Sequence, residues 1–269
     1  MQIRKLTFQY EKNGRKIFDD FNWTLDPEQV HFIIGGNGVG KTTFYELISG
    51  LLPFKTGEID SEINSKDILL QLQNVPMLKT LSGGDLADLI LGADGQFGSI
   101  SLQSVSSSLP SSSQDKLAHL WATDYGQMSV GERRWLLIYY FSLLDRELYI
   151  FDEPTAGLDV QSAQEILRMI EKLSSEQGKK VLLTTHQLTE MDSFENYTVS
   201  FFHDGKNYFT GSKKEFLKIK EGNSENYIHL KFFWQQRGKR LANFSLSFER
   251  SENQLLQSPL SSFPLNASR

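Results

Sequence analysis

The sequence of 269 residues contains no cysteine. Disulfides, thiolate metal ligands and cysteine nucleophiles are therefore excluded, and the composition is typical of a reducing compartment. No apolar run reaches the roughly 20 residues of a membrane-spanning helix, and the N-terminus lacks the apolar segment of an export signal. The chain also has no excess of positive charge, because its 28 Lys and Arg residues are outnumbered by 33 Asp and Glu residues. Its formal net charge is −5. We therefore expect a chain that is soluble by itself and has no direct nucleic-acid partner.

The residues that are present are those of an ordinary globular protein, with 39% apolar and 23% charged. Residues 1–34 alternate like short strands and end in an apolar run at 30–34. The runs at 148–151 and 181–185 are unbroken enough to predict buried strands, and a helical pattern lies between them. Strands are also expected on both sides of a turn at 204–206. By contrast, 99–113 holds nine serines in fifteen residues and predicts an exposed surface loop.

A glycine cluster lies between the strand at 30–34 and a helical pattern that begins at Thr42. It fits the pattern G-x-x-x-x-G-K-[S/T], in which main-chain N–H groups surround phosphates and the helix N-terminus adds positive charge. The lysine of this pattern reaches the β and γ phosphates, and the hydroxyl is a magnesium ligand. The residues predicted to bind the nucleotide here are Gly35, Gly36, Asn37, Gly38, Val39, Gly40, Lys41, Thr42 and Thr43.

Two adjacent carboxylates, Asp152 and Glu153, follow the apolar strand at 148–151. A magnesium nucleotide would compensate their charge, so we expect Asp152 to hold the metal and Glu153 to orient or deprotonate the attacking water. His186 ends the next strand and is expected at the same edge of the sheet, where it can donate to a γ-phosphate oxygen. Taken alone, the acidic pair could instead be a solvated end of a strand. The histidine could instead make a structural hydrogen bond.

With these motifs the chain resembles the ATP-binding subunits of ABC transporters over about residues 1–218. The resemblance implies an α/β fold, with a P-loop NTPase core of the ABC type, an N-terminal antiparallel β subdomain and a short α-helical subdomain at about 76–135. Residues 219–269 are then a C-terminal extension. Their alternating pattern predicts a β-hairpin with a basic bend at 237–240, followed by a frayed polar tail.

The resemblance assigns roles to four further residues. Tyr10, 25 residues before the first glycine of the loop, matches the aromatic residue that stacks on adenine. Gln73 matches the glutamine that ligates the metal and links the site to the transmembrane partner. Asp159 follows Glu153 as in the family's D-loop, and His186 matches its switch histidine. Packing or solvation is the alternative for Tyr10 and Gln73 when each is taken alone.

The family's signature string LSGGQ has two candidates. Residues 81–85 read Leu-Ser-Gly-Gly-Asp but lie 70 residues before Asp152 when counted from the serine, which is too far. The segment at 128–132 has its serine 23 residues before Asp152 and opens a long apolar helix, so we take it as the signature. Ser129 and Glu132 form an S-x-x-E capping box at that helix, which also fits a purely structural cap. By resemblance, Ser129, Gly131 and Glu132 meet the γ-phosphate bound by a second ATP-binding subunit.

The sequence therefore predicts a magnesium-dependent ATPase that powers transport through separate transmembrane permease subunits, with export slightly favoured over import. It would pair with a second ATP-binding subunit, as a homodimer or heterodimer, and bind peripherally to the inner face of the cell membrane from the cytoplasm. One alternative is a soluble ABC-type ATPase without a transporter. Another is a regulatory subunit with weak hydrolysis, because Val130 stands where the family has its first signature glycine.

Overall fold

The computed structural model describes residues 1–11, 14–25, 30–73, 76–95, 97–185 and 187–220, without the side chains of 112, 219 and 220. The chain divides into two units, Met1–Lys213 and Lys214–Arg269. The second unit is described only over 214–220, which is helical. The predicted hairpin and polar tail of residues 219–269 therefore lie outside the described residues, apart from 219 and 220.

The first unit contains two β-sheets, as predicted. The smaller is antiparallel with the order β2-β1-β4, and the larger has the order β5-β6-β7-β3-β8-β9. In the larger sheet only the pairing of β8 with β9 is antiparallel. The strands are β1 (Gln2–Phe8), β2 (Phe18–Thr24), β3 (Val30–Gly35), β4 (Thr56–Asp60), β5 (Ile68–Gln71), β6 (Leu148–Phe151), β7 (Lys180–Thr184), β8 (Tyr197–His203) and β9 (Lys206–Ser212).

All but the last of the described helices lie between these strands in the chain, and the last follows β9. They are α1 (Lys41–Ile48), α2 (Gly83–Asp94), α3 (Leu102–Ser106), α4 (Ser111–Trp121), α5 (Val130–Leu143), α6 (Val160–Ser175) and α7 (Lys213–Lys220). Within the described part of the chain, every helix is too short or too polar to span a lipid bilayer. Helices α2 to α5 lie between β5 and β6, and α5 extends beyond the range of about 76–135 at which the helical subdomain was expected.

A cluster of aromatic rings packs α1 between the two sheets. Phe44 is fully buried in α1, and its ring contacts Trp23 at 4.9 Å, Phe202 at 5.1 Å and Phe21 at 5.7 Å between centroids, with interplanar angles of 84°, 81° and 61°. Edge-to-face contacts of this kind add to the large apolar area that each ring buries. The first two residues of α1 therefore have a fixed position relative to both sheets.

The expectation of a plain surface loop at 99–113 was wrong. Two helices begin in this serine-rich stretch, the short α3 and the longer α4. Ser101 and Ser104 form a reciprocal capping box at the start of α3, and Pro110 precedes α4. Serines that satisfy the free N–H groups of a helix end stabilise the helix, and two serines of this stretch do so at α3.

The LSGGD string at 81–85 has a structural explanation. Ser82 and Asp85 cap α2, while Gly83 and Gly84 are buried against the end of α4. A Cβ on Gly83 would lie 2.3 Å from the carbonyl oxygen of Leu120, and one on Gly84 would lie 2.8 Å from Nε1 of Trp121. The two glycines thus allow the helices to approach closely, which accounts for this string without any ligand.

We predict that Gly83→Ala lowers the free energy of unfolding by about 1–3 kcal/mol, because the added methyl group must displace main-chain atoms of α4. Gly92→Ala in the same helix is the matched control, since its nearest new neighbour would be Ile100 at 3.6 Å. That control should be neutral or stabilise the protein by up to about 1 kcal/mol. Urea denaturation measures both values, and an equal effect of the two substitutions would contradict the packing role.

Candidate functional site

The candidate site is formed where parallel strands end at one edge of the larger sheet. Strand β3 ends in Gly35, β6 is followed by Asp152, and β7 ends in Thr184. Strand β5 ends at Gln71, whose carbonyl accepts a hydrogen bond from the Asp152 N–H at 2.9 Å. Because ligands of open α/β sheets bind at the carboxyl ends of the strands, this edge is where a ligand is expected.

The glycine loop turns directly into α1 at Gly40. This residue has φ 101° in the left-handed region and is the N-cap of the helix. A Cβ at this position would lie 2.5 Å from Cγ2 of Ile17, so no larger residue fits without displacement. The backbone conformation and the close neighbour both require glycine here. The N-terminus of α1 therefore opens at the loop.

Lys41 is nearly buried at the first position of α1. Its ammonium donates hydrogen bonds to the carbonyl oxygens of Gly35 at 3.0 Å and Gly36 at 3.1 Å. The loop thus holds its own lysine, and the positive charge is placed among the main-chain atoms of the loop. This arrangement suits an anion bound at the same place.

Asp152 is almost buried and is held by two hydroxyl groups. Thr42 donates to Oδ2 at 2.8 Å, and Thr184 donates to Oδ1 at 2.8 Å. The hydroxyl of Thr184 also accepts from the main-chain N–H of Glu153 at 2.8 Å. Burial, together with the charges of Asp152 and Glu153, raises the pKa of the adjacent Tyr45 well above its usual value, so this phenol stays neutral.

Glu153 adopts φ 50°, which is uncommon for a residue with a side chain and costs of order 1 kcal/mol or more. Its carboxylate accepts a hydrogen bond from Nε2 of Gln73 at 2.8 Å. The two side chains line a cavity of about 360 Å³ together with the glycine loop. The other residues that line this cavity are Ile17, Asn37, Gly38, Gly40, Lys41, Thr42, Thr43 and Asp152.

The oxygen donors at this cavity fit a magnesium ion. Mg²⁺ is usually held by one or two carboxylates, with the remaining positions filled by water and substrate phosphates. The Asp152 carboxylate and the Thr42 hydroxyl lie within hydrogen-bond distance of each other, and the amide of Gln73 lines the same cavity. These are the three residues for which metal binding was predicted.

Tyr10 lies beside the loop rather than in the lining of this cavity. Its side chain is 61% exposed, its hydroxyl is 2.8 Å from Oγ1 of Thr43, and its ring contacts Phe8 edge to face. Ile17, which the sequence interpretation did not single out, lines the cavity instead. An isolated apolar residue just before β2 carries no signal that could have identified it.

The capping box predicted at α5 is present. The Glu132 N–H donates to Oγ of Ser129 at 3.2 Å, and the Ser129 N–H donates to Oε2 of Glu132 at 2.7 Å. These hydrogen bonds lower the pKa of Glu132. Ser129 and Val130 are exposed, unlike the buried glycines at the start of α2. A surface-facing helix end can meet a ligand or partner, which distinguishes this segment from the LSGGD string.

The start of α6 lies next to the start of α5. Asp159 caps α6 by accepting from the Ser162 N–H at 3.0 Å. A Cβ on Gly131 would lie 3.3 Å from Oγ of the same serine. Ser129, Gly131, Glu132 and Asp159 do not line the cavity at the glycine loop. The structure therefore brings the predicted site residues together in two groups.

Besides Ile17, two contributing residues were missed, and one predicted residue lies outside the described residues. The sequence analysis treated Thr184 only as part of a strand. A signal was available, because its hydroxyl lies at the end of a strand predicted next to the one that leads into Asp152 and Glu153. Arg134 donates to the main-chain carbonyl of Gln73 at 2.8 Å, which no sequence spacing of 61 residues would reveal. His186 lies outside the described residues, so its assignment stays a prediction.

A glycine loop that opens a helix, with a buried carboxylate at the end of another parallel strand of the same sheet, defines a P-loop nucleotide-binding α/β protein. The family model described as ABC transporter matches residues 18–156, half of the chain. The chain belongs to the ABC transporter family, which confirms the resemblance and the fold predicted from it. ATPase domains of this family bind ATP or ADP and typically hydrolyse ATP.

Curated relatives extend over most of the chain. An energy-coupling factor transporter ATP-binding protein, EcfA1 of Thermotoga maritima, is 27% identical over 93% of this chain and 95% of its own length. The EcfA1 protein of Leuconostoc mesenteroides is 25% identical over 86% and 88%. The lantibiotic transport ATP-binding protein SrtF of Streptococcus pyogenes is 28% identical over 77% and 88%.

Solved structures show the same fold. One described as the ATP-binding subunit of an ABC transporter has a TM-score of 0.68 at 20% identity, and covers 92% of this chain and 98% of that chain. A dimeric ATP-binding cassette bound to ADP and Pi has a TM-score of 0.58 at 17% identity, and covers 78% and 97%.

We predict that Thr184→Val lowers the free energy of unfolding by about 1–3 kcal/mol, because a buried oxygen of Asp152 loses its donor while the shape is kept. ATP hydrolysis should fall as well, since the Glu153 N–H loses its acceptor. Thr184→Ser keeps the hydroxyl and is the matched control. Urea denaturation and steady-state hydrolysis compare the two variants, and an equal loss in both would contradict the hydrogen-bonding role.

Proposed function

We propose that the chain is the ATP-hydrolysing subunit of an ABC transporter and acts with separate membrane-spanning subunits and a second ATP-binding subunit. The observation that carries the proposal is the hydrogen-bonded series from Thr42 through Asp152 and Thr184 to Glu153 and Gln73, at the glycine loop. The relatives named as transport proteins favour this function over a soluble ATPase without a transporter.

In this proposal the phosphates of ATP bind along residues 35–43, with the ammonium of Lys41 beside the β and γ phosphates. Tyr10 would stack on adenine. Thr42, Asp152 and Gln73 would hold Mg²⁺, which when bound neutralises charge that develops on the phosphates. These contacts position the γ-phosphate at the carboxyl edge of the sheet, facing Glu153.

Glu153 is proposed to orient the attacking water and accept its proton. The hydrogen bond from Gln73 fixes one carboxylate oxygen, and the Thr184 hydroxyl fixes the main chain of Glu153. His186 is proposed to donate to a γ-phosphate oxygen. Because both the side chain and the main chain of Glu153 are held, the residue loses little freedom during the reaction. This favours catalysis by positioning.

The second group of residues is proposed to complete the site of a partner. Ser129, Gly131 and Glu132 at the start of α5, with Asp159 at the start of α6, would close over the ATP of the second ATP-binding subunit. Closure excludes water and strengthens the interactions with the transferring phosphate. Hydrolysis would reopen the pair, and the region of Gln73 would pass this motion to the membrane subunits, on the cytoplasmic face of the membrane.

The direction of transport stays a prediction. The slight preference for export comes from Val130 and from the loop at 156–159 in the sequence. Relatives named for spermidine and putrescine import and for lantibiotic transport both align with the chain. The transported substrate is bound by the membrane subunits or their partners in such systems, so it leaves no trace in the residues of this site.

We predict that Glu153→Gln slows ATP hydrolysis by about 10²–10⁴-fold, because the base is lost while the shape and ATP binding are kept. With magnesium and ATP the variant should accumulate as a dimer, and with ADP it should not. Size-exclusion chromatography and a phosphate-release assay measure the two effects. The control is Glu176→Gln, an exposed carboxylate paired with Lys172, which should leave both unchanged. Hydrolysis at the parent rate in Glu153→Gln would overturn the assigned role.

We predict that Lys41→Ala abolishes detectable ATP binding, because the loop loses the ammonium that neutralises the phosphates. Isothermal titration with magnesium and ATP measures the affinity. Lys172→Ala is the matched control on an exposed helix face and should bind as the parent does. Binding that is unchanged in Lys41→Ala would place the nucleotide elsewhere.

A second candidate, a regulatory subunit with weak hydrolysis, is favoured by one observation. Val130, at the first position of α5, is 57% exposed and stands where the family has a signature glycine. If the chain is a regular ATPase, Val130→Gly should change turnover by less than about threefold, below about 1 kcal/mol in the barrier. Slow parent hydrolysis that rises strongly in Val130→Gly would instead support the regulatory role.

A further inference from the structure

Two consecutive arginines of α5 donate to different parts of the fold. Arg133 donates to the carbonyl oxygens of Tyr125 at 2.7 Å and Gly126 at 2.9 Å, and lies over the Tyr125 ring at 5.1 Å. Its contacts therefore stay within the segment just before α5. Arg134 instead reaches out of the helical insertion, to the main-chain carbonyl of Gln73 at 2.8 Å.

The surroundings of Arg134 are partly desolvated and acidic. Burial lowers the pKa of its guanidinium, and the nearby carboxylates Asp152 and Glu153 act in the opposite direction. An arginine remains protonated under such conditions. A hydrogen bond from a charged donor in a half-buried position is stronger than one between neutral groups. The bond to Gln73 is therefore a firm contact and not an incidental one at the surface.

The contact links two groups of residues that do not share a cavity. Arg134 follows the cap residue Ser129 by five positions, about 7.5 Å along the helix. At its other end, Gln73 donates from its side chain to Oε2 of Glu153. One run of hydrogen bonds thus leads from the helix that begins at Ser129, through Arg134 and Gln73, to the carboxylate of Glu153.

We propose that Arg134 is a positioning residue that holds Gln73 in the place from which its side chain orients Glu153, and so ties the start of α5 to the hydrolytic carboxylate. This inference rests on the proposed function. Arg134 does not itself line the cavity or touch a reacting atom, and it acts through the main chain of the lining residue Gln73. A shift of α5 on closure of the second subunit would move the carbonyl that Arg134 holds.

A double-mutant cycle tests the proposal in the full-length chain. Arg134→Ala should lower kcat for ATP by about 10- to 100-fold, the range expected for a misplaced catalytic group, with KM within about twofold. Gln73→Ala should lower kcat by a similar factor. The double variant should be no slower than Gln73→Ala alone, because Arg134 acts only through the Gln73 side chain. Arg134→Lys, which keeps one charged donor, should recover part of the rate.

Arg133→Ala is the matched control, one residue away on the same helix. Its effect on kcat should multiply with that of Gln73→Ala, because its partners lie at 125 and 126. Thermal denaturation checks that each variant is folded, and the cycle is repeated with Arg134→Gln if the alanine variant is not. The positioning role would be overturned if the double variant lost kcat by the product of the two single losses. It would also be overturned if Arg134→Ala changed only KM.

The outcome separates this inference from the proposed function. If Glu153→Gln hydrolyses ATP at the parent rate, the assigned chemistry of the site fails whatever Arg134 does. If Glu153→Gln is slow and the cycle is multiplicative, the hydrolytic role of Glu153 stands and the role of Arg134 fails.

Discussion

The geometry of the site depends on how the buried carboxylate of Asp152 is compensated. A charged oxygen pair at 5% exposure is costly unless each oxygen has a donor. Here the donors come from two different elements, Thr42 on α1 and Thr184 at the end of β7. The same carboxylate therefore joins α1, the helix after the glycine loop, to the centre of the sheet, and Thr184 extends the connection to the main chain of Glu153.

This connection is rigid because its supports lie in the core. The aromatic cluster around Phe44 holds α1 between two sheets, so the loop residues before it cannot shift independently. The strands that carry Asp152 and Thr184 are paired in parallel and buried on both faces. Side chains placed on such elements keep their geometry before a ligand binds, which lowers the cost of ordering them during binding.

The helical insertion contains the same local sequence signal, a serine capping box, at two helices with different surroundings. Both α2 and α5 begin with a serine and an acidic residue that cap each other. The capping box explains why each helix starts where it does, but it carries no information about ligands. Solvent exposure distinguishes the two helix starts. The glycines of α2 are buried against α4, whereas the start of α5 is exposed at the surface.

The sequence by itself determined the glycine loop, the acidic pair, the two kinds of sheet and the family, because these depend on short-range patterns and on the shared edge of parallel strands. The short helix α3 in the serine-rich stretch was missed because its start depends on a local serine cap, which the overall composition of the stretch does not reveal. The tertiary structure alone decided that Thr184 supports both carboxyl residues, that Ile17 lines the cavity and that Arg134 holds Gln73. Contacts between residues 61 positions apart arise from how helices and strands pack, and no periodicity in the sequence records that packing.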